Sequence, residues 1–479
     1  MISKVEGFIE KYLGELRQNN AAVFVGAGLS TSAGFVDWAG LLAPLAKEIS
    51  LDSTKETDLV ALAQYYLNSK RGQRHDINQL LVDKFSDLRA PTENHRILAR
   101  LPLGVYWTTN YDRLLETAIQ QAGRRLDVKL TVKGLSRTRP GRDAVLYKMH
   151  GDIELPEDTI LAKDEYERYH VSHQPFVTAL SGDLVERTFL FLGFSFTDPN
   201  IDYIFSRIRI QLVGNQRTHY WLTKRRTQKP GESSEDFGYA RAKQDHVIED
   251  LKRFNVEAIL VDEYSDITET LQKIENRFRM ATVFVSGAAA DYSGNDPTVV
   301  DQVLKKIGTN LISDGFRIAS GMGIAVGTAV VTGAVEQIYS DDSRSIQNSL
   351  VLRPFPIGIE DAAKRMETFT RYREELISQA GIAIFILGNK IESGKLVESP
   401  GVWQEFELAK QKGLHIIPVG GLGGMAAKVA NEVLTNFAQY YPKDDGSIRA
   451  AIEKLNGPMG DGLGYLDALR TIINKLAKD

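Results

Sequence analysis

The chain of 479 residues contains no cysteine. That excludes disulfides, a thiolate nucleophile and any zinc site built on cysteine sulfur. Nor is there an excess of positive charge: 58 Lys and Arg stand against 62 Asp and Glu, a formal net charge of −4. With no long basic stripe, nucleic acid is excluded as the main partner, because neutralising phosphates takes clustered Lys and Arg. Nor is a secretion signal expected. The first twenty residues read as a charged amphipathic helix without the apolar core of such a signal, and a cytoplasmic location is expected. One uncharged stretch, residues 318–335, approaches the length of a membrane span. Gly321, Gly323, Gly327 and Gly333 interrupt it. A buried strand, a glycine-rich turn and a helix accommodate it better, so no membrane partner is expected.

What is present points to a multidomain α/β protein. The length exceeds what one ordinary core supports. Apolar runs at 21–25, 105–108, 144–148, 188–192, 219–222 and 257–261 alternate with helical patterns at 37–49, 58–69, 111–122 and 199–211. Strands separated by helices predict a parallel sheet covered on both faces. Residues 54–88 read as an added helical lobe and 224–236 as a polar surface loop. A helix over 266–278 closes this region. The same grammar then restarts: strands at 282–286, 316–320, 382–387 and 415–419, with helices at 297–313, 362–379, 402–412 and 424–436. The fold expected is two Rossmann-like three-layer α/β domains in tandem, residues 1–280 and 281–479, each a mostly parallel sheet with helices on both faces.

Three motifs carry chemistry in the first half. Gly26-Ala27-Gly28-Leu29-Ser30 follows the strand at 21–25 and presents backbone N–H groups at a helix start. Glycines there let a pyrophosphate approach, and the helix dipole favours the anion. Thr108-Thr109-Asn110-Tyr111-Asp112 and Lys148-Met149-His150-Gly151-Asp152 each follow a strand. Ligands of open parallel sheets bind at those carboxyl ends. Taken singly, Asn110 reads as a helix cap and His150 as a satisfied core histidine. Their conjunction beside a phosphate cradle favours a site that cleaves a dinucleotide such as NAD.

These motifs resemble the signatures of the sirtuin family, over roughly residues 23–261. Gly193-Phe194-Ser195-Phe196-Thr197-Asp198-Pro199-Asn200 is similar to a segment of sirtuin-like proteins of bacterial defence systems. The resemblance implies that Asn110 positions water or the nicotinamide ribose and that His150 is the general base. It also implies that NAD is held by Gly26, Ala27, Gly28, Ser30, Asp112, Gly193, Ser195 and Asp198. Sirtuin deacylases carry a four-cysteine zinc module. Its absence here makes an acyl-lysine groove doubtful and leaves water as the simplest acceptor. The reaction implied is NAD hydrolysis to ADP-ribose and nicotinamide, with no metal and no cofactor beyond NAD as substrate. A deacylase or ADP-ribosyltransferase, or a non-catalytic NAD-binding scaffold, remain as alternatives. His150 is expected near its ordinary pKa, ready to take a proton at neutral pH.

The second half offers two further strand-to-glycine turns, Ser286-Gly287-Ala288 and Ser320-Gly321-Met322-Gly323. Arg371, Arg373 and Lys390 are nearby cations in the pattern, and Glu405 can accept from ribose hydroxyls. Each charge alone reads as a solvated helix face. This half resembles the SLOG family of nucleotide sensors, relatives of phosphoribohydrolases that carry PGGxGTxxE. Here only Pro400-Gly401 fits, with Leu408 in place of the motif's Glu. That departure argues for binding rather than cleavage. A sirtuin-like half followed by a SLOG half is similar to the effectors of the Thoeris antiphage system. That likeness implies activation by a cyclic ADP-ribose isomer made by a TIR-domain partner protein. It implies binding of that signal by Ser286, Gly287, Gly321, Met322, Gly323, Arg371, Arg373, Lys390 and Glu405, and a homo-oligomer, a tetramer.

Overall fold

Seven strands order the first half of the computed structural model, which describes residues 3–355 and 358–477. They are β1 (Ala21–Val25), β2 (Val105–Thr108), β3 (Leu126–Lys129), β4 (Ala144–Lys148), β5 (Thr188–Leu192), β6 (His219–Lys224) and β7 (Val256–Val261). All pair in parallel, in the order β3-β4-β2-β1-β5-β6-β7. Every residue of β1 and β5 is buried. Side chains alternate between the two faces of a strand, so burial at every position requires cover on both. The chain builds outward from β1 through β2, then returns to β5 on the other side of β1. This reversal places a crevice between the carboxyl ends of β1 and β5.

The expected elements recur with shifted ends. The lobe at 54–88 contains two helices, Leu59–Ser69 and His75–Phe85. The helix expected from residue 111 spans Leu114–Gln121 instead. Residues 110–113 are diverted because Asp112 turns its carboxylate onto the Leu114 N–H. Strand β3 escaped the pattern: it is four residues long, half of them charged, and sits at the sheet edge. The loop at 224–236 runs into an eighteen-residue helix, Ser234–Leu251, in which Leu251 is the buried residue.

The second sheet holds β8 (Thr282–Ala288), β9 (Arg317–Ser320), β10 (Leu350–Leu352), β11 (Ile382–Leu387) and β14 (His415–Val419) in the order β10-β9-β8-β11-β14. All its pairs are parallel, and the chain reverses between β8 and β11. A separate hairpin, β12 (Asn389–Glu392) with β13 (Lys395–Glu398), is antiparallel. The uncharged stretch at 318–335 divides into the end of β9, a turn and helix Val326–Tyr339. Among the described residues no helix is long and apolar enough to cross a membrane. By internal contacts the chain divides into Met1–Glu275 and Asn276–Asp479, a few residues before the boundary expected from the sequence and within helix Tyr264–Met280.

Candidate functional site

A cavity of about 1020 Å³ opens at the reversal between β1 and β5. Gly28, Ser30, Asn110, Asp112, His150, Gly193, Ser195 and Asp198 all line it. The glycines here have a different task from the one the sequence suggested. A Cβ on Gly26 would lie 2.5 Å from the carbonyl oxygen of Gly193, and that oxygen accepts from the Gly28 N–H at 2.9 Å. Two loops touch backbone to backbone, and only glycine permits it. Ala27 opens the short helix Ala27–Thr31 and lines the cavity, while the N–H groups of Gly28 and Leu29 are taken by the Gly193 and Gly26 carbonyls.

Asn110 caps no helix. Its Nδ2 donates to the Gly26 carbonyl at 3.1 Å and to Ser30 Oγ at 2.9 Å. Thr108 Oγ1 ties the same turn down, accepting from the Asn110 N–H at 3.0 Å and donating to the Val25 carbonyl at 2.8 Å. With both amide hydrogens engaged, Asn110 Oδ1 is left buried without a partner. It is an acceptor waiting for a hydroxyl or a water. Asp112 is occupied internally: Oδ2 accepts from Ser30 Oγ at 2.6 Å and Oδ1 from the Leu114 N–H at 3.0 Å. The hydroxyl of exposed Ser195 lies 2.8 Å from that of Thr197.

His150 is not a satisfied core histidine either. Its Nε2 is buried without a hydrogen-bond partner; Asp198 Oδ2 is 3.4 Å away but outside hydrogen-bond geometry. Its Nδ1 is 3.4 Å from the Tyr166 hydroxyl. Burial pushes the His150 pKa down from 6.5, and the Asp198 carboxylate opposes that. The expectation of an ordinary pKa is therefore corrected, because a desolvated imidazole resists protonation. The residue stays neutral at pH 7, which is the form a general base requires.

Beneath both motifs lies Lys148, completely buried. Its ammonium meets Glu116 Oε1 at 2.9 Å, the Asp152 carboxylate, and the carbonyls of Tyr111 and Asp112. One charge thus fastens the loop of Asn110 to the loop of His150. Nothing in the sequence marked that role, although Lys148 stands in the motif. Tyr166, Trp38, Asn94 and Phe85 also line the cavity and were missed. Trp38 and Tyr166 meet edge to face at 6.2 Å, and Phe85 meets Tyr111 at 5.8 Å. Trp38 follows the cap Asp37, eight residues past Ser30, a signal that was readable. Tyr166 has no sequence signal, since it comes from a helix outside every motif.

The second reversal gathers only part of its expected set. Ser286 Oγ donates to Glu405 Oε2 at 2.6 Å, and Arg373 Nε lies 3.4 Å from Glu405 Oε1. Burial raises the Glu405 pKa, while Ser286 and Arg373 pull it back. A Cβ on Gly287 would overlap the Ile386 carbonyl, and one on Gly323 the Gly287 carbonyl. Phe355 covers Gly321 and carries the Arg373 guanidinium 5.0 Å above its ring. The Met322 N–H donates to Ser320 Oγ at 3.2 Å. Arg371 does not join this group: its side chain is 76% exposed and pairs with Glu375 at 3.0 Å. Two residues apart on a helix, Arg371 and Arg373 face different sides. Lys390, on β12, pairs with Glu392 at 3.3 Å.

Residues 104–248 match the SIR2-like domain, and residues 266–476 match the Sir2- and TIR-associating SLOG family. Over 469 residues the chain is 45% identical to "NAD(+) hydrolase ThsA" of Bacillus cereus (strain MSX-D12), covering 98% of this chain and 97% of that protein. Identity to "NAD(+) hydrolase ThsA" of Acinetobacter baumannii (strain 532279) is 45% over 471 residues, 97% and 98% of the two chains. A more distant relative, "Defense-associated sirtuin 2" of Bacillus subtilis, is 27% identical over 202 residues, 40% of this chain and 20% of that protein. Identity at this level across nearly the whole of both chains, with both domain types in order, places the chain in the family of the ThsA NAD(+) hydrolases.

Proposed function

We infer that this protein hydrolyses NAD in antiphage defence. The observation that carries the reading is that Asn110 Oδ1 and His150 Nε2, both at strand ends, are buried without partners on the wall of one cavity at the sheet's reversal point, which Asn94 Oδ1, also unpartnered, lines too. Leaving such atoms unpaired costs about 1–3 kcal/mol each, a cost that a polar substrate offsets. Water attacks the nicotinamide-bearing ribose carbon, the carbon–nitrogen bond breaks, and its electron pair stays with the departing nicotinamide. The products are ADP-ribose, nicotinamide and one proton. Asn110 Oδ1 accepts from a ribose hydroxyl or the attacking water, and neutral His150 takes the water's proton. The transition state resembles an oxocarbenium ion, so fixed polar groups do most of the work. Apart from water, NAD is the only molecule this scheme consumes, and it calls for no metal.

The second unit is proposed to receive the signal, a cyclic ADP-ribose isomer from a TIR-domain partner protein, within a homotetramer. Ser286, Arg373 and Glu405, at the reversal of the second sheet, are its proposed contacts, with the turns at Gly287 and at 321–323. The ligand activates by binding the active arrangement more tightly than the resting one, and NAD depletion then aborts infection. The test is to incubate purified protein with NAD, with and without cyclic ADP-ribose isomers and an acyl-lysine peptide, and to follow free nicotinamide. Release that needs no peptide and rises with an isomer is expected. Release that depends on the peptide would instead mean deacylation; bound but intact NAD would mean a scaffold.

A further inference from the structure

We propose that Asp198 is the counter-charge of His150, a positioning residue for the proton transfer and not a contact to NAD. This rests on the hydrolase reading and assigns a role within that site. The geometry constrains the carboxylate from one side only. Asp198 is the N-cap of helix Pro199–Leu212, and its Oδ1 accepts from the N–H groups of Asn200 at 2.9 Å and Ile201 at 3.2 Å. Those two bonds fix the side-chain rotamer. They leave Oδ2 turned to His150 Nε2 at 3.4 Å, the same nitrogen that lacks a hydrogen-bond partner.

The loop that delivers Asp198 is held against its own preference. Phe196 has φ +56°, a left-handed conformation that disfavours a bulky residue. Such strain persists only where surrounding contacts over-determine it. Here they are rings: Phe196 lies 4.9 Å from Phe191, 5.1 Å from Phe194 and 5.4 Å from Trp221. The aromatic cluster and the helix cap together hold one carboxylate oxygen 3.4 Å from one imidazole nitrogen, close enough to act by charge without a hydrogen bond.

The remaining titratable groups around His150 are Tyr166, Tyr169 and His173, from helix Lys163–Ser172 and its C-terminal end. Both tyrosine hydroxyls are pushed well above 10 by burial, so they stay uncharged. His173 is itself held down by burial. Asp198 is the one carboxylate in the set. During hydrolysis, water's oxygen bonds to the ribose carbon while one of its protons passes to His150 Nε2. The imidazolium so formed keeps its new N–H toward the attacking oxygen while the Asp198 carboxylate, 3.4 Å away, balances its charge through space, and it then releases the proton to solvent. Without the carboxylate, a cation would form in a dry wall with nothing to balance it.

Two substitutions remove the charge and keep the cap, because Asn and Ser both serve at an N-cap: Asp198→Asn and Asp198→Ser. The His150 imidazole is titrated by NMR in the full-length protein, its signal identified by its loss in His150→Ala. Both variants are expected to lower the His150 pKa by about 1 unit or more, the effect of an opposite charge at this distance. In nicotinamide release, kcat falls about 10-fold or more, within the range of general-base assistance, while KM for NAD stays close to wild type. The acid limb of the pH–rate profile moves to lower pH. An unchanged His150 titration would overturn the proposal, as would a raised KM with unchanged kcat, which would make Asp198 an NAD contact. If the wild type releases no nicotinamide even with cyclic ADP-ribose isomers present, the hydrolase reading fails, while the NMR titration still decides the Asp198–His150 pairing.

Discussion

At the carboxyl end of the first sheet, Asn110 Oδ1 and His150 Nε2 are buried in a cavity wall without partners. At the carboxyl end of the second, Ser286, Glu405 and Arg373 satisfy one another, and Phe355 covers Gly321. Both sheets reverse at their first strand, and both use glycine where two backbones meet. The difference lies in the state of the polar atoms. The first site keeps acceptors unsatisfied and its loops fastened from below, here by Lys148. The second begins with its charges compensated, so a ligand bound there, as proposed, would have internal bonds to exchange and would change the arrangement instead of merely filling it.

The largest effects should separate the two ends outright. His150→Ala or Asn110→Ala is expected to reduce nicotinamide release at least ~100-fold with an unchanged circular dichroism spectrum. Undiminished release by both purified variants would remove the catalytic assignment. Lys148→Met tests the fastening. It strands Glu116 and Asp152 in the core, and truncating a buried pair costs about 3–5 kcal/mol, read by chemical denaturation. Adding Glu116→Gln should recover part of that loss; if it makes matters worse, the three groups are not one network.

In the second unit, Arg373→Ala is expected to weaken cyclic ADP-ribose binding by about 10-fold or more, since it removes a buried charge-assisted contact, and calorimetry reads the change. Equal affinity in wild type and Arg373→Ala would displace the sensing site. Arg371→Ala should do least. Its pair with Glu375 is exposed, and such pairs contribute at most about 1 kcal/mol; a loss of binding equal to that of Arg373→Ala would show that Arg371 turns inward when the signal is bound.

Acid should sharpen the same contrast. In the first unit burial holds His219 down to about 3 and His95 to about 4, with His150 also lowered from 6.5. Depressed histidines are neutral in the fold and bind protons more readily when unfolded. Stability from them is complete above about 6.5 and is lost as pH falls toward 4. Hydrogen exchange at pH 7 and pH 5 is expected to show residues 3–275 loosening more than the rest of the chain. Equal loosening would mean these histidines are protonated in the native state.

Much of this was legible from the chain. Six of the seven strands of the first sheet announce themselves as apolar runs, because strands covered on both faces are mostly apolar even where a buried Lys148 or His219 stands at one end. Strand β3, at the edge with Asp127 and Lys129, has no such run. The motifs at 26–30, 108–112, 148–152 and 193–200 were legible as a set, and the fold does bring them to one cavity. Their internal duties were not. The glycine turn read as a phosphate cradle is first a place where two loops touch. Asp112, expected to hold NAD, is consumed by Ser30 and the Leu114 N–H. Arg371 and Arg373 look equivalent in sequence, yet one is solvated and the other lies against Glu405.

The sequence by itself determined the two-part α/β architecture, the absence of cysteine-bound zinc and the identity of the residues at the strand ends. These follow from composition and periodicity, which are local and additive. Tertiary structure alone decided which atoms of those residues remain free. Lys148, Tyr166 and Asp198 reach the site from separate elements. A hydrogen bond or an ion pair depends on distances of a few ångström between groups far apart in the chain, and only the folded packing sets those distances.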